Sequence, residues 1–114
     1  GKEPNYQEEY ITNTCNTLAK ANLPEKVMID CSHGNSYKDH NKQMDVANSL
    51  AEQINSGNQS IFGVMIESFM VAGNQKVIPQ QPLVYGQSIT DACINLDTSD
   101  EILNILANAI KTRK

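Results

Sequence analysis

One imidazole and two carboxylates, His33, Glu67 and Asp91, each sit just past a short run of extended character. His33 follows Val27 to Cys31, Glu67 follows Ile61 to Ile66, and Asp91 follows Ser88-Ile89-Thr90. Folds built on parallel strands gather their chemistry at the C-terminal strand ends, so three polar residues at that address point to one shared site. A mixed nitrogen and oxygen donor set suits manganese, iron or zinc. Residue type alone leaves plainer roles open: a loop histidine bonded to a carbonyl, a salt-bridged glutamate at a strand end, an aspartate capping a turn. No H-x-x-x-H or C-x-x-C spacing decides between them.

The other reactive residues point elsewhere. Cysteines stand at 15, 31 and 93, an odd number without close pairing, so a disulfide framework is not expected and a reducing cytoplasm is. Cys15 and Cys93 lie among apolar neighbours and read as small buried hydrophobes. Cys31 is two residues before His33 and its thiolate would suit a soft metal, although a buried role is preferred. His40 is assigned no role. Neither G-x-x-x-x-G-K nor G-x-G-x-x-G occurs, so nothing supports a nucleotide site.

Charge and hydropathy narrow the partners. The net charge is -4 and the nine basic residues are scattered, which argues against nucleic acid as a partner. No apolar run approaches the ~20 residues that span a bilayer, so no membrane partner is expected and the chain reads as soluble.

Helices and strands must position the three polar residues. Ile11, Cys15 and Leu18 recur at helical spacing and predict a helix over residues 8–22, stopped by Pro24. Val27 to Cys31 suits a buried strand, and turn formers occupy 33–39. Met44, Ala47, Leu50, Ala51 and Ile54 mark a second helix that Gly57 ends. Ile61 to Ile66 reads as a second buried strand, parallel to the first and beside it, with His33 and Glu67 at the same end. Alternation puts Phe62, Val64 and Ile66 against the helices and Ile61, Gly63, Met65 and Glu67 on the other face. In the first strand the same rule puts Asp30 against the helices, so a break in the pleat is expected near it. Glu67 to Ser88 is a long loop with a small hairpin, placed for an active-site role. The last helix is expected to start at Thr98, capped by its side chain with Glu101 reciprocating. Two strands close no sheet, so the pattern predicts either a small layered domain or a slice of a larger α/β fold.

Several separated stretches closely resemble the class I, aromatic-amino-acid-regulated family of 3-deoxy-7-phosphoheptulonate (DAHP) synthases. They are Gly1-Lys2-Glu3-Pro4-Asn5-Tyr6, the run from Val27 to Ser36, Gly63-Val64-Met65-Ile66-Glu67-Ser68, Gly73-Asn74-Gln75, and the run from Tyr85 to Ile94. The resemblance implies a (β/α)8 TIM barrel, with residues 1–114 as the C-terminal third of that single domain and incomplete alone. It implies that His33, Glu67 and Asp91 ligate one divalent metal ion, whether manganese, iron, zinc or cobalt. The family's fourth ligand, a cysteine in a P-C-S motif, has no counterpart here, and Cys15, Cys31 and Cys93 match none of that motif.

The implied partners are phosphoenolpyruvate and erythrose 4-phosphate, the remaining part of the barrel, and further copies in a homo-oligomer. The implied activity is the aldol-type condensation that opens the shikimate pathway, catalysed through the metal by the complete protein. Most phosphate-binding arginines and lysines of the family lie in earlier strands, so the segment alone is expected to be inactive. Two other readings remain at this point: a small metal-binding or structural module, and a related phosphoenolpyruvate-dependent synthase taking another phosphosugar.

Overall fold

The structure is a computed structural model and describes residues 2–114; Gly1, the first residue of the first matching stretch, lies outside the described residues. The order is α1 (Glu8–Lys20), β1 (Val27–Asp30), 3-10 turns at His33–Ser36 and His40–Lys42, α2 (Gln43–Asn55), β2 (Ile61–Met65), β3 (Val71–Asn74), β4 (Gln87–Ser88) and α3 (Leu96–Lys111). Strands β1 and β2 pair in parallel through α2, as expected, which puts the residues after each strand at one end. Among the described residues no helix is long and apolar enough to cross a membrane.

The three helices share their apolar stripes with one face of this sheet. Ile11 and Cys15 of α1, Val46, Leu50, Ala51 and Ile54 of α2, and Ala109 of α3 close a core around Ile29, Cys31 and Ile61. Ala47, Ile94 and Ile102 form a second cluster that reaches toward the strand ends. Fully burying one side chain of the size of Leu50 contributes about 1.5–3 kcal/mol, so α2, with the most buried positions, is the main anchor of the sheet.

Helices α1 and α2 stop in the same manner. At the end of α1, Asn22 adopts φ +57 and the Leu23 N–H donates to the Leu18 carbonyl. At the end of α2, Gly57 adopts φ +117, its own N–H donates to Ile54, and that of Asn58 donates to Gln53. This is the left-handed C-terminal closure that glycine and asparagine permit. It ends α1 two residues earlier than the apolar spacing predicts, before Pro24 could act.

Four expectations need correction. Met28 pairs with Gly63 while Val27 pairs with Ile61, so Phe62 is an extra residue in a bulge. The bulge reverses the alternation at the start of β2. Ile61 is therefore buried against the helices and Phe62 is 63% exposed, the opposite of the simple pleat, whereas Val64 and Ile66 do pack on the core. In β1 it is Val27, Ile29 and Cys31 that face the helices, and Asp30 lies on the opposite side with Met28. The segment after Glu67 is not a hairpin, because β3 and β4 run parallel and Gly73 bridges Cys93 in antiparallel sense. Finally, α3 starts at Leu96, where Asn95 Oδ1 accepts the Thr98 N–H at 2.9 Å, so Asn95 and not Thr98 is the cap.

Candidate metal centre

The parallel pair β1 and β2 places residues 31–33 beside residues 66–67. The ladder continues one step past β1, where the Cys31 N–H donates to the Met65 carbonyl at 2.8 Å. The chain then leaves the pleat: His33 has φ +48, in the left-handed region uncommon for residues with a β-carbon. This is the break that returns His33 to the side of Asp30 and Glu67. Tyr37 and Lys38 also have positive φ, at +52 and +60, so strain collects in one loop. The Lys38 N–H donates to the His33 carbonyl at 2.9 Å, and the buried Ser36 packs beneath the same turn.

Asp91 arrives by another route. Gly73 and Cys93 exchange backbone hydrogen bonds at 2.8 and 3.1 Å, and Ile94 donates to the Glu67 carbonyl at 2.9 Å. Asn74 Nδ2 donates to the Thr90 carbonyl at 2.9 Å and ties down the residue before Asp91. The segment that composition marks as a loop is thus a folded arm, and its base sets the position of the third carboxylate.

The structure brings together all three polar residues marked in the sequence. One ligand-type atom from each of His33, Glu67 and Asp91 lies within 4.8 Å of the others. His33 Nε2 is 3.4 Å from Glu67 Oε1 and 3.5 Å from Asp91 Oδ2. Donors around an ion with bonds of about 2.1 Å stand about 3.0–3.4 Å apart, so the two His33 separations are close to those around a shared cation. The two carboxylates match the charge of a divalent ion and the imidazole adds a borderline donor. His33 and Asp91 are about half exposed and Glu67 is more covered, so the cluster opens to one side.

Asp30, Ser32, Lys38 and Gln43 surround these side chains, and residue type alone marks none of them. Asp30 Oδ2 accepts from His33 Nδ1 at 2.8 Å. This bond and the charge of Asp30 hold the imidazole above its usual range; slight burial opposes them, and Glu67 and Asp91 add to the rise. The Ser32 hydroxyl donates to Glu67 Oε2 at 2.6 Å, leaving Oε1 toward His33. Lys38 lines the same small cavity as the three residues. Gln43 holds the Glu67 backbone at N–H and carbonyl. Asp30 and Ser32 are near neighbours of His33 in the chain, and Gln43 falls in phase with the buried stripe of α2 as its one polar member.

The cysteines stay outside the cluster. Cys31 is fully buried on the helix side and is not among the clustered donors; burial first and Asp30 second push its thiol up to about 12. Cys15 is a core residue. Cys93 is half-buried rather than core, and its thiol is raised by burial and then by the Glu67 charge.

Comparison with known proteins gives concordant matches. A sequence model described as the DAHP synthetase I family matches residues 1–104. The chain is 50% identical over 113 residues to a Trp-sensitive phospho-2-dehydro-3-deoxyheptonate aldolase of Enterobacter agglomerans, covering 99% of this chain and 32% of that protein. It is also 50% identical over 114 residues to the Phe-sensitive counterpart of Escherichia coli K12, covering 100% and 33%. A solved phospho-2-dehydro-3-deoxyheptonate aldolase from Francisella tularensis SCHU S4 superimposes with a TM-score of 0.92 at 48% identity, over 98% of this chain and 32% of that one. The chain therefore spans about a third of the length of the relatives it matches.

Proposed function

The chain belongs to the DAHP synthetase I family, and from that membership we propose that the complete protein condenses phosphoenolpyruvate with D-erythrose 4-phosphate, giving 3-deoxy-D-arabino-heptulosonate 7-phosphate and phosphate. In this reading β1 and β2 are the last two strands of a (β/α)8 barrel. The rest of the barrel supplies the remaining strands, the fourth ligand and most of the phosphate-binding cations, and the complete enzyme is a cytoplasmic homo-oligomer.

The observation that carries the reading is the convergence of His33 Nε2, Glu67 Oε1 and Asp91 Oδ2 within 4.8 Å in a chain of this family. The reaction joins C3 of phosphoenolpyruvate to the aldehyde carbon, adds water at C2 and releases phosphate. A divalent ion held by His33, Glu67 and Asp91 would supply Lewis-acid polarisation of the aldehyde oxygen. The residues of this chain build its seat: Asp30 orients His33, Ser32 orients Glu67, and the arm base carries Asp91 to them. Lys38 lines the same cavity as the two carboxylates.

The test is a set of substitutions in the complete protein. Glu67→Gln, Asp91→Asn and His33→Ala should each lower metal affinity and product formation, while phosphoenolpyruvate binding to the metal-free protein falls less. Calorimetry with added Mn2+ and a steady-state product assay separate these quantities. If all three variants bind Mn2+ and turn over like the parent, the assignment is wrong.

A further inference from the structure

We propose that Asp30 is a positioning residue that sets the tautomer of His33 before any ion arrives; this rests on the metal-centre reading above. Both oxygens of the Asp30 carboxylate are engaged. Oδ1 accepts the Ser32 backbone N–H at 2.7 Å, and Oδ2 faces His33 Nδ1 at 2.8 Å. The backbone is pinned as well, because Asn35 Nδ2 donates to the Asp30 carbonyl at 2.7 Å and Asn35 Oδ1 accepts the Asn5 N–H at 2.7 Å.

An ionised carboxylate can only accept hydrogen bonds, so Nδ1 must carry the proton and Nε2 keeps its lone pair in the neutral ring. That lone pair faces Glu67 Oε1 and Asp91 Oδ2 at 3.4 and 3.5 Å, longer than a good N–H···O bond. The opposite tautomer would aim an N–H at the two carboxylates and fill the place of a cation. In the neutral ring Asp30 therefore keeps the seat in its cation-accepting form. Its own oxygens lie on the far side of the ring and outside the three-residue cluster, which separates its role from that of a ligand.

The Ser32 contact makes this testable. In Asp30→Asn the amide oxygen remains the acceptor for the Ser32 N–H, which turns the NH2 group toward Nδ1. The NH2 group donates there and favours the wrong tautomer. In Asp30→Ala neither tautomer is favoured. Mn2+ affinity of the complete metal-free protein, read by electron paramagnetic resonance of the free ion, should fall 10–100-fold in Asp30→Asn and less in Asp30→Ala. A purely structural role gives the reverse order, since the isosteric amide preserves shape.

The unsubstituted protein provides a second reading that does not depend on variant folding. Nitrogen-15 shifts of neutral His33 in the metal-free protein should report a proton on Nδ1. A proton on Nε2, or Asp30→Asn binding Mn2+ as tightly as the parent or more tightly than Asp30→Ala, overturns the proposal. His33→Ala is the control for the underlying reading. If it binds Mn2+ like the parent, the metal centre itself is misplaced; if it loses binding while Asp30→Asn does not, only the positioning role fails.

Discussion

The buried side-chain amide of Gln43 closes a two-bond ring on the backbone of Glu67, with Oε1 accepting its N–H at 2.9 Å and Nε2 donating to its carbonyl at 3.1 Å. A neighbouring strand would make the same pair of bonds. Gln43 opens α2, so the helix that anchors the sheet also fixes the strand end that carries a candidate ligand. The same device recurs in the arm. Gln75 Oε1 accepts the Val84 N–H and its Nε2 donates to the carbonyls of Val84 and Gln87, while Gln87 Nε2 donates to the Ala72 carbonyl.

Removing the Gln43 amide should be costly in a specific way. In Gln43→Leu the Glu67 N–H is left buried without a partner, whereas the carbonyl still receives the Ile94 N–H at 2.9 Å. One orphaned buried donor costs about 1–3 kcal/mol. Gln43→Glu retains an acceptor for the N–H and should lose less than Gln43→Leu at a pH where the introduced carboxyl is protonated. Denaturant unfolding of the complete protein measures both, and equal stability of Gln43→Leu and the parent would contradict the assigned ring.

The two possible caps of α3 predict different mutants. Asn95 Oδ1 accepts the Thr98 N–H, and Ser99 Oγ donates to the Asn95 carbonyl, so the first turn is held from Asn95. Asn95→Ala should destabilise by about 1 kcal/mol. Thr98→Ala should change stability by a few tenths, since the Thr98 side chain is not the cap. Thermal unfolding that ranks the two variants the other way would restore the cap expected from the T-x-x-E pattern.

Helices and the paired strands were legible because apolar residues recur with the period of each element, and each helix face found a buried partner. The convergence of His33, Glu67 and Asp91 was legible from their address after extended runs. Asp30 was not, because alternation assumes an unbroken pleat, and here β2 carries a bulge at Phe62 while His33 leaves the pleat in a left-handed conformation. The arm was not legible either. Its order comes from glutamine amides acting as peptide groups, which leave no hydrophobic period, and the cap at Asn95 is masked by the matching pattern that Thr98 offers three residues on.

Gly86 is a turn position at which a β-carbon has no room. Its φ is +79, and a β-carbon there would stand 2.9 Å from Met70 Cβ, too close for either residue to keep its place. Gly86→Ala should therefore loosen the arm, and Met70→Ala should not rescue it because Cβ remains. Amide exchange at Val71, whose N–H donates to the Gly86 carbonyl at 2.9 Å, reads the effect directly. Unchanged protection at Val71 in Gly86→Ala would count against this packing.

The 114-residue segment by itself should associate. The β1–β2 sheet has two strands, so each has one backbone edge without a strand partner among the described residues. Met28 is 57% and Phe62 63% exposed, and Phe62 borders an apolar groove of about 190 Å³ with Ile61, Leu106 and Ile110. Unpaired edges next to uncovered apolar side chains template further strands. Sedimentation of the purified segment should show concentration-dependent oligomers, and Phe62→Ser should shift them toward smaller species by removing apolar area without touching the helix-facing core. Adding the complementary part of the protein should dissolve the oligomers into a defined complex. A segment that stays monomeric at micromolar concentration and unfolds cooperatively would show that these edges and this groove need no cover, and would remove the physical argument that the rest of a barrel closes over them.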